Sequence, residues 1–183
     1  MKLEPLAKDN MYHIYNRGIN GESIFLSDEN KRYFLSLLDK YMNESGDVYA
    51  YCLMDNHFHL LLSIREEGEV VTQQLSNLFN AYAKAMNKSI GRTGSLFEKH
   101  FRRIRIDNED YLKQVIVYIH LNPKHHFDLD FSTFRYSSYT SFLSEKDTKL
   151  KREDVLRLFE DRQNYEYVHY QKNDLINEQL TLE

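Results

Sequence analysis

Tryptophan is absent, cysteine occurs once and glycine only six times in a chain of 183 residues. The lone thiol, Cys52, lies in the apolar run Tyr51-Cys52-Leu53-Met54, without a partner for an intramolecular disulfide or a Cys-based zinc site. An inert, buried thiol is the role it fits. Long apolar runs are also missing. Nothing approaches the roughly 20 residues of a membrane span, and the N-terminal residues lack the apolar stretch of a signal sequence. A cytoplasmic protein without membrane partners is expected. A basic excess is missing as well: the formal net charge of -4 excludes a protein that coats duplex DNA by bulk attraction. Any nucleic-acid site has to be local.

What is present is aromatic. The 14 tyrosines and 11 phenylalanines suit base stacking, and equally a core packed with rings. Length alone calls for a single domain. Along it, residues 11–16 alternate as a short strand and are followed by turn residues Asn16-Arg17-Gly18 and Asn20-Gly21. Ser27 and Asp28 cap a helix with apolar positions Tyr33, Phe34, Leu37, Leu38 and Tyr41. Residues 48–54 and 57–64 read as a hairpin turning at Asp55-Asn56, and residues 70–88 as a second amphipathic helix ended by Gly91 and Gly94. A strand over 101–106 precedes a third helix, capped by Asn108 and stopping at Asn122-Pro123.

This order predicts an α+β fold, a ferredoxin-like antiparallel sheet with helices on one face. Residues 1–143 form the domain. Residues 144–183 are a charged extension without glycine or proline, with a helix near 153–162 and disorder expected over the last dozen residues.

In His57-Phe58-His59 the period of a strand puts both imidazoles on one face, in a segment otherwise built for burial. Such rings need partners. A divalent cation is one; backbone or carboxylate groups are the other. Tyr118 and Asn122 stand one helical turn apart and share a face. Tyrosine can act as a covalent nucleophile, but with a reference pKa of about 10 it needs help losing its proton. Asn122 can lend an amide oxygen to the same cation; alternatively Tyr118 packs in the core and Asn122 ends a helix.

Several segments in order resemble the HUH single-tyrosine transposases, and among them the REP-associated tyrosine transposase branch. They are residues 12–18 (Tyr-His-Ile-Tyr-Asn-Arg-Gly), 51–62 around the His pair, 92–97 (Arg-Thr-Gly-Ser-Leu-Phe), 118–123 (Tyr-Ile-His-Leu-Asn-Pro) and 134–139 (Phe-Arg-Tyr-Ser-Ser-Tyr). The resemblance implies an HUH endonuclease fold acting on single-stranded or hairpin DNA, with Mg²⁺ or Mn²⁺ held by His57, His59 and Asn122. It implies that Tyr118 attacks a phosphodiester and forms a 5′-phosphotyrosine link, as monomer or homodimer. One departure is visible. Lys124-His125-His126 follows Pro123 where the family commonly has Val-Arg-Ala.

Between residues 84 and 105 seven basic residues face one acid, Glu98, which makes this stretch the local basic site that the overall charge requires. Arg92, Lys99, Arg102, Arg103 and Arg105 are its DNA-binding candidates, with Arg103 and Arg105 first because they share a strand face. Arg17, in the loop after the first strand, joins them. His13, His100, His120, His125 and His126 are read as structural or surface residues. Two other readings stay open: a catalytically inactive or domesticated DNA-binding relative, and a small-molecule metal hydrolase, for which only Asp55 adds a nearby ligand.

Overall fold

Strand β1 (Met11–Arg17) leads through helix α1 (Asp28–Met42) to the hairpin β2 (Gly46–Leu53) and β3 (His57–Ile64). Helix α2 (Gly68–Ile90), strand β4 (Arg102–Ile106) and helix α3 (Glu109–Phe127) follow. Helices α4 (Tyr139–Leu143), α5 (Arg152–Leu158) and α6 (Arg162–Leu180) complete the chain. This computed structural model describes residues 4–180, with 175–180 as backbone alone. No helix among the described residues is long and apolar enough to cross a membrane.

The helix starts follow local chemistry. The Ser27 hydroxyl accepts from the Asn30 amide at 3.3 Å, and the Asn108 side chain accepts from the Tyr111 amide at 2.8 Å. At its end α2 passes into Gly91, whose φ of 65° is a left-handed conformation that favours glycine.

The four strands form one antiparallel sheet in the order β2-β3-β1-β4. That is the α+β, split arrangement expected from the element order. Helices cover both faces, however, where one covered face was expected. The reason lies in β3: Phe58, Leu60, Leu61 and Leu62 are all fully buried, so its side chains need cover on either side. Phe58, Leu60 and Leu62 pack with Ile14 against α1 and α2, among Phe34, Leu75, Leu78, Phe79 and Tyr82. On the opposite face Leu61, Ala50 and Cys52 pack with Val115, Ile116 and Ile119 of α3. Burial pushes the Cys52 thiol pKa well up, which keeps it protonated and inert.

Helix α3 does not stop at Asn122-Pro123. It continues to Phe127 and is closed by Asp128, whose φ is 52°. Pro123 forfeits a single intrahelical hydrogen bond. Burial of Ile119, His120, Leu121, Asn122 and Pro123 itself holds the helix through it. After α4, the helix expected near residues 153–162 is broken, because Glu160 adopts a φ of 70° between α5 and α6. Helix α6 extends through residue 180. Of the stretch for which disorder was expected, residues 181–183 lie outside the described residues.

A buried polar chain ties α6 to α3. His169 Nδ1 donates to the Tyr165 carbonyl at 2.7 Å, so in the neutral ring Nε2 accepts from His120 Nδ1 at 2.9 Å. His120 Nε2 then accepts from the Ser138 hydroxyl at 2.8 Å, and Ser138 Oγ accepts from the Tyr51 amide at 2.9 Å. The chain is complete only with both rings neutral. Burial lowers His169 to about 4 and His120 well below its usual value. Between pH 6.5 and 4 the unfolded chain therefore binds protons that the folded chain refuses, and stability falls as pH drops through that window. His169 alone should remove on the order of 2 kcal/mol between pH 7 and 4.5. Urea unfolding of wild type and His169→Gln at both pH values checks this: the variant should lose less stability on acidification. An equal loss would place the acid sensitivity elsewhere.

Candidate active site

Strand β3 starts at His57, and Phe58 sets its phase. The Phe58 ring is fully buried against Phe34 and Phe79, with centroids 5.0 and 5.2 Å away, so its two neighbours must point to the opposite face, toward α3. There the His57 and His59 rings lie 5.2 Å apart, nearly perpendicular at 88°. From α3 the half-exposed Tyr118 sets its ring edge-on, 5.5 Å from His59 and 5.9 Å from His13. Asn122, one turn on, is fully buried and close enough to both ligand-candidate rings to affect their titration.

Hydrogen bonding around this group leaves a conspicuous gap. His57 Nδ1 meets Asn56 Oδ1 at 2.7 Å, and His59 Nδ1 meets His13 Nε2 at 2.8 Å. The Asn122 amide nitrogen donates to the Tyr118 carbonyl at 2.8 Å. By contrast His57 Nε2 and Asn122 Oδ1 are buried and, among the described residues, neither makes a hydrogen bond of good geometry. Each such orphan costs about 1–3 kcal/mol. Two unpartnered lone pairs in one site, one imidazole and one amide oxygen, fit a bound cation, so the residues present fit the metal that the resemblance implies. Among the described residues no group of three or more His, Cys, Asp or Glu side chains is placed to hold a metal. A cation here would therefore rely on two imidazoles and an amide oxygen, with other positions open to water or phosphate.

Protonation states agree with ligation. Burial lowers His57 to about 4, assisted by His126, and lowers His13 to about 4; burial, then His13 and His57, hold His59 well below its usual value. All three rings are neutral at pH 7. The Tyr118 phenol is shifted up, by burial first and Tyr15 second, with Asn122 opposing. It is protonated at neutral pH and is not a nucleophile unaided.

His57, His59 and Tyr118 open into a cavity of about 610 Å³, lined also by Tyr15, Asn16, Arg17, Asn56, Glu98, Arg102 and His126. A second groove of about 870 Å³ runs between α2 and the segment 94–101, and shares Asn16 and Glu98 with the first. The basic candidates divide between them. Arg102 lines the cavity, whereas Lys99 and Arg103 line the groove. The β1–β4 register pairs Tyr15 with Arg102 and Ile14 with Arg103, so Arg103 and Arg105 project away from the His pair. Arg103 sets its guanidinium 4.3 Å from the Phe101 ring centroid. Arg17 is paired with Glu98 at 2.6 Å, and Arg92 with Glu22 at 2.7 Å.

Sequence patterning does not single out His13, Asn56, Glu98 or His126, yet each touches the site. His126 reaches it because α3 continues through Pro123, which sets the His126 ring 4.8 Å from that of His57. The usable signal was spacing: His126 lies one turn beyond Asn122, as Asn122 does beyond Tyr118.

No protein-family model matches the chain, and no curated protein matches it. Among solved structures, a REP-associated tyrosine transposase bound to a REP hairpin superposes with a TM-score of 0.63 at 16% identity. The match covers 79% of this chain and 85% of that one. At that identity the likeness establishes the fold alone, an α+β antiparallel-sheet architecture.

Proposed function

We propose that this protein is a metal-dependent endonuclease of the tyrosine transposase type, which cleaves and rejoins single-stranded or hairpin DNA through a 5′-phosphotyrosine intermediate. One observation carries the reading: Tyr118, His57 and His59 line one open cavity, and His57 Nε2 and, one helical turn beyond Tyr118, Asn122 Oδ1 are buried acceptors left over there. The hairpin-bound transposase of like fold supports DNA as the partner.

In this reading His57, His59 and Asn122 hold Mg²⁺ or Mn²⁺ and the Tyr118 oxygen attacks a phosphorus atom. The bond from phosphorus to the 3′ oxygen breaks as the bond to the tyrosine oxygen forms; the phenol loses a proton and the departing 3′ oxygen gains one. A divalent cation at this position supplies charge withdrawal from the phosphate and from the ionising phenol. Rejoining is the reverse, with a 3′-hydroxyl attacking the phosphotyrosine. Tyr118 keeps the energy of the broken bond in its ester, so no nucleotide is consumed. The test is incubation with a panel of structured single-stranded oligonucleotides and Mg²⁺ or Mn²⁺, followed by a denaturing gel. A covalent adduct at the 5′ end of the cleaved strand is expected; DNA binding without cleavage would instead identify an inactive relative.

The ion pair at the cavity mouth has its own consequence. Arg102 lines the cavity with no ion-pair partner among the described residues, whereas Arg17 is engaged by Glu98. Arg102→Ala should weaken single-strand binding and lower the slope of log affinity against log salt by about 0.7. Glu98→Gln should act oppositely, because it releases Arg17 and removes an acid from the DNA path. Fluorescence anisotropy over a salt series measures both, and identical slopes in all three proteins would remove these residues from the interface.

A further inference from the structure

The two candidate ligand rings are held from behind by two residues with no assigned role, and the chemistry of neutral imidazole makes that holding specific. A neutral ring has one N–H and one lone pair, so whichever nitrogen binds a metal, the other must be the protonated one. Its hydrogen-bond partner must then be an acceptor.

At His57 this condition is met through the hairpin turn. The Asn56 amide nitrogen donates to the Gly21 carbonyl at 3.4 Å, which leaves Oδ1 as the group facing His57 Nδ1 at 2.7 Å. An amide oxygen only accepts, so His57 carries its proton on Nδ1. Nε2 is then a lone pair, and it is the atom found buried without a partner.

At His59 the partner comes from the adjacent strand. In the β1–β3 register Tyr15 lies opposite His59 and His13 opposite Leu61, so His13 stands diagonally behind His59 on the same face. Its Nε2 lies 2.8 Å from His59 Nδ1. The proton between them can belong to either ring, but only one assignment leaves His59 Nε2 with a lone pair: His59 Nδ1 donates and His13 Nε2 accepts. His13 is itself locked, buried and stacked on Tyr15 at 5.0 Å, with the Tyr118 ring 5.9 Å away. Asn122 follows the same scheme through its own helix, since its nitrogen is tied to the Tyr118 carbonyl and its oxygen is left over. In every case the atom that would not bind metal is tied down.

We propose that His13 and Asn56 are positioning residues that accept the Nδ1 protons of His59 and His57 and so turn both Nε2 lone pairs toward one cation. The proposal rests on the metal reading above. Its first test needs no metal: long-range ¹H–¹⁵N correlation spectra of the wild-type protein should show His57 and His59 protonated on Nδ1 and His13 Nε2 unprotonated. Nε2–H forms of His57 or His59 would overturn it. The second test is Mn²⁺ affinity, read from the paramagnetic resonance of free Mn²⁺. His13→Leu and Asn56→Leu should bind Mn²⁺ about 10–100-fold more weakly. His13→Gln and Asn56→Asp, which keep an acceptor in place, should recover most of that loss. Thermal unfolding of all four separates lost positioning from lost folding, and the rescuing pair carries the test if a leucine variant does not fold. Wild-type Mn²⁺ binding that the leucine variants leave unchanged would overturn the proposal alone. Wild-type protein that binds no Mn²⁺ would overturn the metal reading together with it.

Discussion

Tyr118→Phe should abolish the covalent protein–DNA adduct and slow strand cleavage by at least about 10⁴-fold, as removal of a nucleophile does in enzymes with covalent intermediates. Only the hydroxyl is lost. The phenyl ring keeps its edge-on packing against His59 and His13, and Tyr118 is 41% exposed, so neither the fold nor DNA binding should suffer. That combination makes the result diagnostic. A neutral, upshifted phenol contributes little to ground-state binding, whereas its oxygen is the atom bonded to phosphorus in the intermediate. Denaturing gels of a 3′-labelled oligonucleotide read the outcome directly, because the protein-linked fragment keeps its 3′ end. An adduct that persists in Tyr118→Phe would assign the nucleophile to another of the tyrosines, and Tyr15, in the same cavity, would be examined next.

Asn122→Leu should lower divalent-dependent cleavage by about 10³-fold, equivalent to roughly 4 kcal/mol of transition-state stabilisation. The substitution is nearly isosteric. It removes one hydrogen bond to the Tyr118 carbonyl and one oxygen that has no partner, so folding should change little or improve. A loss of activity with a normal melting temperature would therefore point to the oxygen as a ligand. His57→Ala should be as damaging to activity, and additionally leaves Asn56 Oδ1 without its donor. Rates measured against Mn²⁺ concentration decide the matter. Wild-type dependence on Mn²⁺ in Asn122→Leu would exclude this residue from the metal site.

These expectations draw on both levels of description. Adjacent-residue periodicity was enough to put His57 beside His59 and Tyr118 in line with Asn122, because strand and helix repeats are local properties of the backbone. The same reasoning found the caps at Ser27 and Asn108. It failed at Pro123, where an apolar setting outweighs the loss of one helical hydrogen bond. That failure concealed His126. It also misjudged the covering of the sheet, since burial of β3 on both sides depends on where α3 packs after β4.

Long-range chemistry was out of reach for a different reason. His13 meets His59 across 46 residues, through a strand register that no local pattern specifies. Glu98 meets Arg17 across 81, from a segment without regular structure. Arg103 and Arg105 stand out in sequence by sharing a strand face, yet only the β1–β4 register shows that Arg102 is the one facing the cavity.

Spacing, charge and composition by themselves determined the α+β element order, the two face-sharing pairs and the local excess of positive charge in one stretch. Tertiary structure decided how those pairs converge, which lone pairs remain unpartnered, and which residues stand behind the rings. The physical reason is reach: backbone periodicity acts over a turn or a pleat, whereas hydrogen bonds between strands and helices depend on how elements pack, which the whole core sets at once.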